Sequence, residues 1–123
     1  MPGFVVQFGI AGLPAVSGPW QNLNIKDDKV ILSNIRGTIA YADAGADTRT
    51  TQVYINFANN SRLDADGFTP FGVISEEDMK IVDTIYAGYG QDPDQDTIYA
   101  QGDAYLKKSF PKLDYILTTS VTA

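Results

Sequence analysis

The sequence predicts a mainly β fold in one domain, residues 1–123, with one clear helix near 76–87. Three observations carry that prediction. First, apolar and polar residues alternate through Arg36–Gly45 and again through Thr50–Phe57, the period of a strand with two unlike faces. Second, seven Tyr and six Phe accompany eleven Gly and six Pro, a mixture of strand formers and turn formers. Third, Ser75 precedes Glu76, Glu77 and Asp78, and Met79, Val82, Ile85 and Tyr86 then recur at helical spacing.

In order along the chain, Phe4 to Ile10 reads as a strand entered from the Pro2-Gly3 turn. Phe4, Val6 and Phe8 share one face, Val5 and Gln7 the other. Ala11 to Pro19 holds Gly12-Leu13-Pro14 and Gly18-Pro19 and reads as loop. Trp20 to Asp28 is irregular, and Lys29 to Ser33 is either a short strand or a turn. The two alternating runs form a strand-loop-strand unit around Gly45, Asp47 and Thr48. Gln52 and Tyr54 fall on one face of it, and Val53, Ile55 and Phe57 are expected to face a core. Asn59 to Arg62 and Leu63 to Gly67 read as turns. Phe68 to Ile74 is a strand, and Pro70 makes it an edge strand or a bulged one. After the helix, which Gly88 and Gly90 end, Gln91 to Gln101 reads as an acidic loop. Ala104 to Ser109 is a short helical turn. Leu113 to Val121 is a final strand, rich in β formers.

Composition excludes several function classes. There is no His and no Cys, which removes Ser-His-Asp chemistry, cysteine nucleophiles, disulfides and most zinc sites. A net charge of −6 argues against nucleic acid or an anionic membrane as partner. No apolar run approaches membrane-spanning length, and no signal-peptide pattern opens the chain. Asp92, Asp94 and Asp96 have the spacing that opens a calcium loop. However, Thr97 stands where that loop needs Gly, and Asp103 where it needs Glu, so a solvated acidic loop is favoured over a metal site. The face carrying Gln52 and Tyr54 pairs an amide with a ring beside a small-residue loop, which suits an extended peptide. An ordinary hairpin with one solvated face explains the same spacing.

Taken together, Pro2-Gly-Phe-Val-Val-Gln7, Arg36-Gly-Thr-Ile-Ala-Tyr-Ala-Asp-Ala-Gly45, Thr51-Gln-Val-Tyr-Ile-Asn56, Leu63-Asp64 and Phe68-Thr-Pro-Phe-Gly72 resemble a cyclophilin. The order and spacing of these motifs are more specific than any one of them, and the resemblance extends over essentially the whole chain. It implies a closed antiparallel β-barrel with a peptide groove on one outer face, and a peptidyl-prolyl cis-trans isomerase acting on X-Pro bonds of folding proteins. By this match Phe4, Val5, Tyr54 and Leu63 would form the pocket for the proline ring. Gln7 and Gln52 would hydrogen-bond the substrate backbone as the catalytic pair. Ala42 and Asp43 would lie under the residue before proline, and Phe68, a further substrate-binding residue, falls near a position often held by His, with one residue inserted in the turn before it. Val5 stands where the family usually has Met, Tyr54 where it has Phe, and Asp43 where Asn is common. Arg62 stands where many members carry the Trp that contacts cyclosporin, so weak binding of that drug is expected.

The implied chemistry needs no cofactor. In the family an Arg donates a hydrogen bond to the prolyl nitrogen, from a position just upstream of the Pro-Gly-Phe motif. By the match that position precedes Met1, and so do the first strands and first helix of the barrel. The expectation is therefore an N-terminally incomplete barrel with exposed strand edges. A longer natural protein, a complementing or swapped second chain, or an independent partial sheet would each account for it. A prolyl isomerase acting on folding proteins, or a module that binds proline-containing peptides with little or no turnover, are the two functional readings, and a cytoplasmic location is expected unless a targeting segment lies upstream.

Overall fold

The structure is a computed structural model and describes residues 1–122. Four antiparallel strands, β1 (Val5–Phe8), β2 (Thr38–Tyr41), β3 (Val53–Asn56) and β4 (Pro70–Val73), form one sheet in the order β1-β3-β2-β4. The two alternating runs pair as the sequence predicts, with Ile39 opposite Ile55, Ala40 opposite Tyr54 and Tyr41 opposite Val53. β1 adds on the far side of β3, with Val5 opposite Asn56 and Gln7 opposite Tyr54. Pro70 lies on an edge strand, and the register slips beside it between Ile39 and Ala40, so both expectations for that strand hold.

The sheet is open among the described residues: it has the exposed edges expected of an incomplete barrel and not the closure of the family's complete one. β1 and β4 are its two edges, and neither pairs beyond its one neighbour. The description as mainly β is also loose, because among the described residues four seven-residue α-helices stand against four four-residue strands. These are α1 (Pro14–Trp20), α2 (Glu76–Val82), α3 (Gln95–Gln101) and α4 (Asp103–Ser109).

The core lies on the opposite face from the one the alternation predicted. Val5, Ala40 and Tyr54 form the buried cluster, with Met1, Phe4, Ala42, Leu63 and Phe68 packed against it. Val53 and Phe57 are only half-buried, although Ile55 is buried. The cause is the polar set on the Tyr54 face. Asn34, Thr38, Asn56 and Asn60 satisfy one another there instead of facing water. Asn56 Nδ2 donates to Thr38 Oγ1 at 2.9 Å and to Asn34 Oδ1 at 3.2 Å, and Asn60 Nδ2 donates to Asn56 Oδ1 at 2.8 Å. Buried amides are tolerated when their partners are complete.

Helix α2 is capped as its sequence requires. Ser75 Oγ accepts from the Asp78 amide at 3.0 Å and donates to the Asp78 carboxylate at 2.8 Å. Met79, fully buried, anchors the helix beside Gly37. Gly37 has φ +85° and approaches the Ile74 carbonyl too closely to admit a side chain. The helix stops at Val82, short of the expected 87. Thr84 turns back onto the Ile81 carbonyl through both its amide and its hydroxyl, and Asp114 takes the Tyr86 amide. Replacing Ser75 by Ala should cost about 1 kcal/mol. A chemical-denaturation midpoint unchanged from the parent would show that the cap contributes nothing.

Two segments expected to be loops are helical. Pro14 sits in the first turn of α1, where its missing N–H costs nothing, and the last turn tolerates Pro19. Asp94 caps α3, accepting from the Thr97 amide at 2.8 Å and the Thr97 hydroxyl at 2.6 Å. The middle carboxylate of the calcium-like spacing is therefore occupied by a helix end. No cluster of three or more possible metal-ligating side chains exists among the described residues. α3 and α4 meet at Gly102, φ +58°, which lies against the Gly12 carbonyl and Pro14, while the Asp103 amide donates to Gly12 at 2.8 Å. A side chain at Gly102 would push this helix pair off α1.

Leu113 to Val121 is not a strand. It has no sheet partner among the described residues, and Leu117 and Val121 are almost fully exposed. β formers make a strand only where an edge is available to pair with them. Lys29 to Ser33 forms no strand either. No helix among the described residues is long and apolar enough to cross a membrane.

Candidate functional site

The buried face of the sheet opens into a cavity of about 300 Å³. Met1, Phe4, Val5, Gln7, Ala42, Asp43, Tyr54, Leu63, Phe68 and Gln95 line it. Every site residue expected from the sequence lines this cavity except Gln52, which lies beside it, hydrogen-bonded to Gln7 at 2.9 Å. The sheet explains this convergence. Gln7 and Tyr54 are opposed in one pair and Ala40 and Tyr54 in the next, so residues far apart in the chain share one face.

Tyr54 forms the floor. Its hydroxyl donates to Asn34 Oδ1 at 2.6 Å, and Phe68 packs edge-on against its ring with centroids 5.9 Å apart. The phenol is held far above its ordinary pKa, first by burial and then by the negative charges of Asp43 and Asp64. It is therefore a neutral donor throughout the physiological range.

Asn34 ties the floor to one wall. Its side-chain amide donates to Asp64 Oδ1 at 2.8 Å and to the Phe68 carbonyl at 2.9 Å, while its backbone amide also donates to Asp64. Leu63 and Phe68, on either side of Asp64, are thereby set against Tyr54. On the other wall, Asp43 Oδ1 accepts from the Gly45 amide at 3.1 Å and shapes the loop that follows Ala42.

Ser33 first, and then Asn34, hold the Asp64 carboxyl below its ordinary pKa; Arg36 does the same for Asp83, and Thr97 for Asp94. A carboxyl whose folded pKa is depressed contributes stability above its unfolded value, near 4, and loses it as pH falls through the folded value. The melting temperature should therefore fall as pH drops below about 4. Asp64→Asn should melt lower at neutral pH and lose less on acidification. Parallel profiles for the two proteins would remove Asp64 from the account.

The structure distinguishes the three arginines. Arg36 is clamped by Glu76 and Asp83 at 2.9 and 2.8 Å. Arg49 is buried, paired with Asp27 at 3.0 Å and donating to the Gly67 carbonyl. Arg62 lies over the Phe4 ring, 4.8 Å from its centroid. None of the three is among the cavity-lining residues.

The sequence of residues 1–101 matches the family described as cyclophilin type peptidyl-prolyl cis-trans isomerase/CLD. The chain belongs to the cyclophilin family. No curated protein matches it. The match covers all four strands, the cavity-lining residues and α1 to α3, while α4 and the C-terminal segment lie outside it. The carriers of the cyclophilin resemblance, from Pro2-Gly-Phe to Phe68-Thr-Pro-Phe, are the segments that surround the cavity.

Reading the sequence did not find Gln95, Met1 or Asn34. Asp94-Gln-Asp-Thr97 was the available signal for α3, since an Asp three residues before a Thr suits a helix cap. Nothing in the linear pattern places Gln95 against Gln52, because that contact depends on how α3 packs on α1.

Proposed function

We propose that this cyclophilin binds X-Pro segments of unfolded or extended chains in the cavity and acts as a peptidyl-prolyl cis-trans isomerase on them. The observation that carries the proposal is the meeting of Phe4, Val5, Tyr54, Leu63 and Phe68 around one cavity with Gln7 and Asp43 at its polar margin. An apolar enclosure of this size suits a proline ring, and the margin groups suit a peptide backbone. Phe4, Val5, Tyr54 and Leu63 receive the ring, Phe68 closes over it, and Ala42 and Asp43 underlie the preceding residue.

Rotation about the peptide bond faces a barrier of about 18–20 kcal/mol because amide resonance must be broken. A planar amide is more dipolar than a twisted one, so apolar walls solvate it less well than water does. Fixing the ring while the preceding residue rotates favours the twisted form over both planar ones. No bond is made or broken, and the reaction calls for no cofactor.

The arginine geometry favours a second reading, in which the chain holds proline peptides with little or no turnover. Arg36 and Arg49 are committed to carboxylates, and Arg62 is stacked on Phe4. No guanidinium is among the groups lining the cavity to meet a pyramidalising prolyl nitrogen. Exchange spectroscopy on an Ala-Pro tetrapeptide separates the two readings. Accelerated cis-trans exchange with a substoichiometric amount of the chain supports the isomerase. Peptide binding without acceleration leaves a binding module. No binding overturns both.

A further inference from the structure

Three glutamines far apart in the chain, on β1, just before β3 and on α3, form a chain along the cavity margin. Gln7 Nε2 on β1 donates to Gln52 Oε1 at 2.9 Å. Gln52 Nε2 donates in turn to Gln95 Oε1 at 3.1 Å and to the Tyr99 hydroxyl at 3.4 Å, both on α3. A primary amide has two N–H donors and one carbonyl oxygen. Both donors of Gln52 are therefore engaged inside the protein, and its oxygen already accepts from Gln7. Gln95 differs. Its oxygen receives Gln52, it is exposed, it lines the cavity, and its Nε2 donates to no group among the described residues. Gln7, at the other end, keeps a carbonyl oxygen that no group among the described residues engages. Reversing the amides would exchange donor and acceptor at the two ends but would leave Gln7 and Gln95 as the ends.

We infer that Gln95 is a ligand-contacting residue of the groove, donating from Nε2 to a backbone carbonyl of the bound peptide, and that Gln52 is a positioning residue that holds Gln95 in place. This deepens the peptide-binding reading and rests on it. It also moves the contact from the strand to a helix. α3 is fixed by its Asp94 cap and by the close approach of Gly102 to Gly12, so the donor is presented from a rigid support. The chain of amides polarises the terminal donor, because Gln95 accepts through the same amide group from which it donates.

The test is titration of an Ala-Pro tetrapeptide into the chain, read by side-chain amide resonances and by affinity. On saturation the Gln95 NH₂ pair should shift more than the Gln52 pair. Gln95→Ala should weaken binding about two- to tenfold, the factor of one net hydrogen bond. Gln95→Glu keeps an oxygen for Gln52 and removes the free donor, so it should weaken binding to at least the same extent. Both variants should melt with the parent, because Gln95 is exposed. If the parent binds and both variants bind as tightly, the inference fails while the groove reading stands. If the parent does not bind, the groove reading fails and takes the inference with it.

Discussion

Replacing Tyr54 by Ala should abolish binding of proline-containing peptides and destabilise the sheet by about 3–5 kcal/mol, the range for losing a buried aromatic side chain. Tyr54 is 4% exposed and belongs to the central cluster with Val5 and Ala40. Its ring is at once the cavity floor, the surface against which Phe68 packs and the donor to Asn34. Deleting it removes the wall that would meet the proline ring and releases Phe68. Because loss of folding would also abolish binding, Tyr54→Phe is the informative companion. It keeps the ring and loses only the hydroxyl, so it should bind within a few-fold of the parent and melt lower. Asn34 Oδ1 keeps the Asn56 donor in that variant, which limits the cost to about 1–2 kcal/mol. Full affinity in a folded Tyr54→Ala protein would mean that the peptide binds elsewhere.

Asn34→Ala should be nearly as damaging, although Asn34 touches no ligand in the proposed complex. Its side chain is fully buried and serves Tyr54, Asn56, Asp64 and Phe68 at once. Removing it leaves the buried Tyr54 hydroxyl and the half-buried Phe68 carbonyl without those partners. Each orphaned group costs about 1–3 kcal/mol, so a total of several kcal/mol is expected. Equilibrium unfolding in urea measures the loss. Asn34→Asp separates hydrogen bonding from packing, since it preserves the acceptor for Tyr54 but sets a carboxylate against Asp64. It should therefore also lose stability, and more so at neutral pH than at pH 4. A fully stable Asn34→Ala protein would show that water replaces the network.

The two variants lie on different links of the same chain of cause. Tyr54 acts by being the surface, whereas Asn34 acts by fixing where Leu63 and Phe68 stand. In the proposed complex Gln52 and Gln95 would divide in the same way, one holding and the other reaching out.

Local chemistry was legible in the sequence. The hairpin of β2 and β3 follows from alternation, the edge position of β4 from Pro70, and the start of α2 from Ser75 and its acidic turn. Each depends on residues a few positions apart, where backbone preference and capping act. The cavity was legible only through the order of motifs that resemble a family, and those residues do converge. Which face of the sheet is the core was not legible. Counting apolar residues favoured Val53, Ile55 and Phe57, but the Asn34–Asn56–Asn60 network made the polar-looking face the buried one. The last segment shows the converse. Leu113 to Val121 has every preference for a strand, yet pairing needs an edge, and propensity cannot supply one. The sequence by itself determined the strands of the hairpin and the cap of α2 and, through the family resemblance, eight of the ten residues that line the cavity. Tertiary structure alone decided the buried face and the placement of Gln95. These depend on long-range contacts, which carry no period in the sequence.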